Sequence, residues 1–173
     1  VAVRDKITAR GLRNHGVEAV SPGNPMMDGI AKAKCPKNFE IYRRLILLCG
    51  SRLPEAYQNF KKLLIAIQYI HISSSIAVFV PLNSSSMRKK IELILLELGF
   101  KNTHESLIEI GVSGIWKKNS LLILFGFNQF SFWARWGDVG LANAGTATEQ
   151  LVGLGIPCVS LPGKGPQFNF NFA

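Results

Sequence analysis

Acidic residues are scarce in this chain of 173 residues: 11 Asp and Glu stand against 20 Lys and Arg, a formal charge of +9. The basic residues fall nine in Val1 to Arg44, nine in Leu45 to Ser120 and two beyond, and the acidic ones four, five and two, so the last third is almost neutral. A surface built for nucleic acid concentrates Lys and Arg where it neutralises phosphates. No specific nucleic-acid site is therefore expected, and the diffuse excess suits an anionic membrane face better. Cysteine is sparse too. Cys35, Cys49 and Cys158 are far apart, form no C-x-x-C pair and have no His at metal-ligand spacing, which excludes a disulfide framework and a zinc ribbon and leaves reduced thiols of a cytoplasmic protein, with no metal and no cofactor expected. The G-x-x-x-x-G-K-[ST] loop, G-x-G-x-x-G after a strand and the G-x-S-x-G elbow are all missing. His15, His71 and His104 assemble with no Ser, Cys or carboxylate into a catalytic set and read as surface or packing residues. There is no initiator Met and no basic-then-apolar leader. The chain opens on VAVRD and closes on the apolar FNFNFA, which reads as a piece cut from something longer at both ends.

What is present is apolar and alternating. At 47% hydrophobic and 18% charged, the chain has the material for one domain with a substantial core. The uncharged run Leu63 to Leu82 resembles a membrane span, but Gln68, His71 and three serines would need partners inside lipid, and Pro81 stands near its end. It reads instead as helix, turn and strand. Pro54 opens the helix, which places Tyr57, Phe60, Leu64, Ile67 and Ile70 on one face, and Ile76 to Val80 is a buried strand. RRLILLCGS before it is a strand, SSMRKKIELILLELGF a helix ending before Gly99, SLLILFG a strand and FNQFSFWARW a short aromatic helix. GDVGLANA, TATEQLVGLG and IPCVSLP follow as strand, helix and strand. Strands apolar on both faces, alternating with helices, predict an α/β fold: a Rossmann-like parallel sheet with helices on both faces. Before Arg44 the texture changes: a short basic helix, a strand around Val17 to Val20, then a Pro-, Gly- and Lys-rich passage suited to a linker, with a domain boundary expected there.

In doubly wound sheets ligands sit beyond the carboxyl ends of the strands, where strand order reverses. NAGTATEQLVGLGIPCVSLPGKGPQ, Asn143 to Gln167, has the needed form: strand, Gly145, then a helix whose first turn holds Thr146 and Thr148. The amides and positive dipole end of such a helix face an anion, so a diphosphate is accommodated without lysine. The bland alternative is that Thr146 and Glu149 form a capping box that any helix could use. CGSRLPEAYQ offers a second turn, Gly50 and Ser51 after a strand and Arg52 at the helix start; here an ordinary strand-to-helix turn with Arg52 in solvent is the alternative. PGKGPQ, with Lys164, is a third loop expected on the same edge. Asp138, at a strand start, reads as structural.

GNPMMDG, LLCGSRLPEAYQNF and GLANAGTATEQLVGLGIPCVSLPGKGPQF, in that order, resemble the lipid-A-disaccharide synthase-related proteins. The likeness runs from about Val3 to Phe172. It implies the C-terminal half of a GT-B fold, the arrangement of two facing Rossmann-like domains found in nucleotide-sugar glycosyltransferases. On that likeness residues 1–24 would end an N-terminal acceptor domain and carry the interdomain hinge at Asn24. Residues 25–43 would be a linker leading into the domain, and 44–173 a donor-binding domain without its C-terminal helices. Gly50, Ser51, Arg52, Gly145, Thr146 and Thr148 would approach the donor diphosphate, and Gln167 the donor sugar or its phosphates. Two positions depart from the synthase pattern. Cys49 stands where the synthase has proline. The glutamate that in this group commonly accepts the ribose hydroxyls falls, counting from Gly145, on Gln150, with Glu149 one step earlier and about 100° round the helix. The implied activity is transfer of a sugar from a nucleoside diphosphate sugar, UDP-linked, to a lipid-type or other hydroxyl acceptor. It would be carried out in the cytoplasm, peripherally at the inner face of the membrane. No proton-transfer residue is expected here, because the base would belong to the acceptor domain, and this chain alone would be inactive. A UDP-sugar epimerase of the same fold and a basic partner- or RNA-binding module are the alternatives.

Overall fold

The computed structural model describes residues 1–70, 74–103 and 110–162 and divides into two compact units, Val1–Ile30 and Ala31–Ala173. In the first, helix α1 (Lys6–Asn14) is capped by Asp5, whose carboxylate accepts the Thr8 amide at 2.7 Å and the Thr8 hydroxyl at 2.8 Å. The expected strand at Val17 to Val20 shrinks to a single parallel bridge, Ala2 to Val20. Asn24 ends this region by capping a 3-10 turn at Pro25–Met27, its side chain accepting the Met26 amide at 3.1 Å.

The second unit is an α/β layer structure around one mostly parallel sheet of seven strands. In chain order these are β1 (Arg43–Leu48), β2 (Ile76–Leu82), β3 (Lys101–Asn102), β4 (Gly114–Lys118), β5 (Leu121–Phe127), β6 (Val139–Ala142) and β7 (Cys158–Val159). The helices are α2 (Glu55–Gln68), α3 (Arg88–Glu97), α4 (Phe130–Trp133) and α5 (Thr146–Gly153). Spatial order is β3-β4-β5-β2-β1-β6-β7, and every neighbouring pair from β5 to β7 is parallel. From β1 the chain builds outward through β2 to β5, then returns to lay β6 on the other side of β1. The arrangement is compatible with a Rossmann-like fold.

Burial on both faces explains why the strands read as continuous apolar runs. On one face Leu47, Val78, Val80, Ile123, Phe125 and Leu141 join the inward sides of α2 and α3 in a single buried cluster. On the other, Phe79 meets the rings of Phe39, Trp133 and Trp136 edge-on at 5.2–5.7 Å, and α5 lies close over Gly140, where an added Cβ would come 2.9 Å from the Leu151 side chain. Phe39 comes from the passage read as a linker; its ring is fully buried, so that passage is packed onto the sheet rather than loose. In α2 the buried face is Ala56, Asn59, Phe60, Leu63, Leu64 and Ile67; Tyr57 is half-buried, and Ile70 lies beyond the helix end and is exposed, which corrects the expected face by one position. Gly99 closes α3 at φ +80°, letting the Phe100 amide reach back to the Leu95 carbonyl at 2.9 Å.

An all-parallel sheet is corrected at one end. β4 and β5 form an antiparallel hairpin with Lys118 opposite Leu121 and Asn119 at φ 52° in the two-residue turn, and β3 adds a last antiparallel rung with Lys101 facing Lys117. No helix among the described residues is long and apolar enough to cross a membrane, and the run at 63–82 is shared between α2 and β2.

Asp138 ties the start of β6 to β1. Its carboxylate meets the Arg44 guanidinium at 2.6 Å and the Arg44 amide at 2.9 Å, while the Asp138 amide donates to the Arg44 carbonyl at 2.8 Å. Burial raises the Asp138 pKa, but the Arg44 hydrogen bonds and charge outweigh it and leave the carboxyl below its usual value. A lowered folded pKa gives stability that is present above the unfolded value of about 3.9 and lost as pH falls through the folded one. Asp138→Asn should therefore lower stability by about 0.2–1 kcal/mol at pH 7, in keeping with a part-exposed pair. The difference from the parent should shrink as pH falls through the lowered carboxyl pKa of Asp138; melts at neutral and at acid pH check it.

Candidate functional site

Because β2 and β6 leave β1 in opposite directions, the loops beyond their carboxyl ends diverge and open a crevice there. A hollow of about 390 Å³ occupies this place, walled by the turn after β1 (Cys49 to Arg52), the first turns of α2, the end of β2 at Asn83, Phe130 of α4 and the β6–α5 turn (Asn143 to Ala147, with Gln150).

The first wall depends on Gly50. Its φ is +89°, and a Cβ there would stand 3.2 Å from the Asn143 carbonyl oxygen, so the turn after β1 approaches the turn after β6 backbone to backbone. Asn59, buried on α2, donates its amide to the Cys49 carbonyl at 3.2 Å and holds that turn against the helix. The Cys49 thiol is itself buried, and burial pushes its pKa up to about 12. It is a neutral packing group where the synthase motif carries proline. Cys35 and Cys158, both half-buried, are also raised by burial, with Arg44 opposing the effect at Cys35.

The second wall is the N-terminus of α5. Thr146 is the first helical residue and Gly145 the cap, and no side chain caps the helix. The capping box expected from Thr146 and Glu149 is therefore absent: the chain turns one residue earlier than the T-x-x-E spacing implies. The first amides with helical partners are those of Thr148 and Glu149, which both donate to the Gly145 carbonyl. The amides of Gly145, Thr146 and Ala147 have no hydrogen-bond acceptor among the described residues, and all three residues line the hollow. Such amides at the positive end of a helix bind anions.

Of the residues singled out by sequence, Gly50, Ser51, Arg52, Gly145, Thr146 and Gln150 come together around this hollow. Thr148 does not line it; its hydroxyl turns back to the Ala144 carbonyl. Glu149 does not line it either. Asn24 belongs to the first unit, where it caps its 3-10 turn. Gln167 and Lys164 lie outside the described residues, as do His71 and His104. His15 contacts the Gly11 carbonyl through Nδ1 at 2.9 Å. Among the described residues, no three His, Cys, Asp or Glu gather where they could hold a metal ion.

The chain matches no family model and no curated protein. What the hollow can do is therefore read from its own atoms. Among the lining residues that carried no sequence signal strong enough to be chosen are Glu55, Asn59, Asn83, Phe130 and Asn143. Asn59 left a faint one, a lone amide on the otherwise apolar face of α2. Among the described residues, Glu55 and Arg52 are the only charged ones on the walls. Backbone amides and one guanidinium suit an anion, while a carboxylate beside them suits hydroxyl donors. A ligand with both phosphate and sugar hydroxyls uses all of these groups.

Two outcomes follow for the first wall. Gly50→Ala should destabilise the fold by about 1–2 kcal/mol, the penalty of a side chain in left-handed backbone, measurable by denaturant titration. At pH 8 in native protein a maleimide should label Cys35 and Cys158 but reach Cys49 only after denaturant is added; rapid native labelling of Cys49 would contradict its burial.

Proposed function

We propose that this chain carries the donor-binding domain of a glycosyltransferase, with the hollow between β1 and β6 holding the diphosphate of a nucleoside diphosphate sugar. The observation that carries the reading is the convergence, at the switch point of the sheet, of amides at the start of α5 that have no acceptor among the described residues with the glycine turn of Gly50. The motif likeness to the lipid-A-disaccharide synthase-related proteins supports the same reading and makes UDP the nucleotide, a lipid-type hydroxyl the acceptor and the inner face of the cytoplasmic membrane the place of action. In this proposal the chain is the C-terminal half of a GT-B enzyme.

The chemistry asked of these residues is electrostatic. As the bond between sugar and diphosphate breaks, negative charge grows on the leaving oxygens. Fixed amide dipoles at Gly145, Thr146 and Ala147, together with the Arg52 guanidinium, stabilise it without reorganising. Glu55 accepts from sugar hydroxyls, and Gln150, on the same helix as the amides, takes the ribose. The base that deprotonates the acceptor hydroxyl comes from the facing domain, which also excludes water on closure.

Titration calorimetry tests the binding half of this proposal. The 173-residue chain should bind UDP and transfer no sugar. Gly145→Val, which fills the cradle, should weaken UDP at least tenfold, Arg52→Ala and Gln150→Ala should weaken it less, and Glu149→Ala should leave it unchanged. A chain that binds polyanions with steep salt dependence and ignores UDP would replace this reading with that of a basic binding module. Conversion of a UDP-sugar without any acceptor would replace it with an epimerase.

A further inference from the structure

Asn143 is the most constrained polar residue of the hollow. It is 2% exposed, and its backbone amide and side-chain oxygen are both committed. Its backbone amide donates to the Leu48 carbonyl at 2.7 Å, joining β6 to the end of β1, and its backbone oxygen is the atom that Gly50 approaches. Its Oδ1 accepts the Leu161 amide at 3.1 Å, so the orientation of the side-chain amide is fixed by the need for an acceptor there. The same stretch is docked twice more: the Ser160 hydroxyl donates to the Ala142 carbonyl at 2.7 Å, and Lys62 of α2 reaches the Pro162 carbonyl. The remaining group, Nδ2, is buried and has no acceptor among the described residues. A buried donor without a partner is unfavourable enough to be rare, and a fold with an Asn here when Asp or Ser would also accept from Leu161 retains that donor against its desolvation.

We propose that Asn143 is a further binding residue of this hollow, its Nδ2 donating to an acceptor oxygen of the bound nucleoside diphosphate once the Ala144–Gly145 turn settles on the ligand, while Oδ1 stays on Leu161. This rests on the nucleotide reading above. One side chain then joins the phosphate cradle to the chain leaving β7, and a neutral side-chain donor is added to the backbone amides and the Arg52 guanidinium. Neutrality is the point: a second cation would bind any anion more tightly, whereas an amide held on a fixed carbonyl oxygen adds direction without charge.

Asn143→Asp separates this role from a structural one. The substitution keeps an oxygen for Leu161 and nearly the same shape, but replaces the donor with a carboxylate. Calorimetry with UDP at pH 7.5 should show a loss of at least tenfold relative to wild type in protein whose melting remains cooperative. The ratio of variant to wild-type affinity should recover as pH falls through the carboxyl pKa and the added proton makes that oxygen a donor again. Asn143→Ser and Asn143→Ala, compared at pH 7.5, guard against a variant that does not fold: the serine hydroxyl can donate, so Ser should bind UDP more tightly than Ala. Equal UDP affinity of wild type and Asn143→Asp, a loss that acid does not reverse in folded protein, or equal affinity of the Ser and Ala variants overturns the proposal while leaving the nucleotide reading intact. A wild-type chain that takes up no UDP overturns both.

Discussion

Two turns nearly a hundred residues apart meet where Gly50 faces the carbonyl of Asn143 so closely that a Cβ there would stand 3.2 Å from its oxygen, tighter than most side chains are found. The rest of the second unit depends on that approach. β1 and β6 stay paired to their last residues without strain because the first of the two turns carries no Cβ and swings through left-handed backbone. A pair of strands whose ends are held together, but whose following helices, α2 and α5, pack on opposite faces of the sheet, must leave a gap between the first turns of those helices. The hollow follows from strand order combined with one glycine, and Asn59 and Asn143 fasten its two sides.

Much of this was legible in the sequence, because burial on both faces of a parallel sheet writes itself as uninterrupted apolar runs. RRLILL, IAVFVPL and LLILF needed no partner to be recognised as strands, and Pro54 and Gly99 marked helix ends by backbone chemistry alone. The antiparallel hairpin was not legible in the same way: GIWKK is short, begins with glycine and ends in two lysines, and acquires strand character only from its neighbour β5. The capping box failed for a different reason. T-x-x-E fixes a spacing and not a starting point, and the freedom of Gly145 let the helix begin at Thr146 without a side-chain cap.

The residues that line the hollow divide along the same boundary. Glycines that the backbone requires could be found by asking where a turn must be tight, and the helix start by asking where amides are left over. Asn143 and Asn83 could not, since an amide at a strand end gains meaning only when topology decides which other strand ends beside it. Counting from Gly145 pointed to Gln150, with Glu149 one step away and left open by residue type; with Thr146 as the first residue, Gln150 lines the hollow and Glu149 does not.

At the far edge of the sheet, away from this crevice, Lys101 stands directly across from Lys117 on the two outermost strands. Like charges opposed on neighbouring strands weaken the rung they share, and β3 is only two residues long. An open edge invites another chain to add a strand, and lysines on a short, weak rung repel the most available intruder, the same edge of a second molecule. That protection is electrostatic, and salt screens it. The sheet gives up a little cohesion at its rim and in return stays finite, so crowding at high ionic strength is the condition under which this edge would first begin to recruit copies of itself.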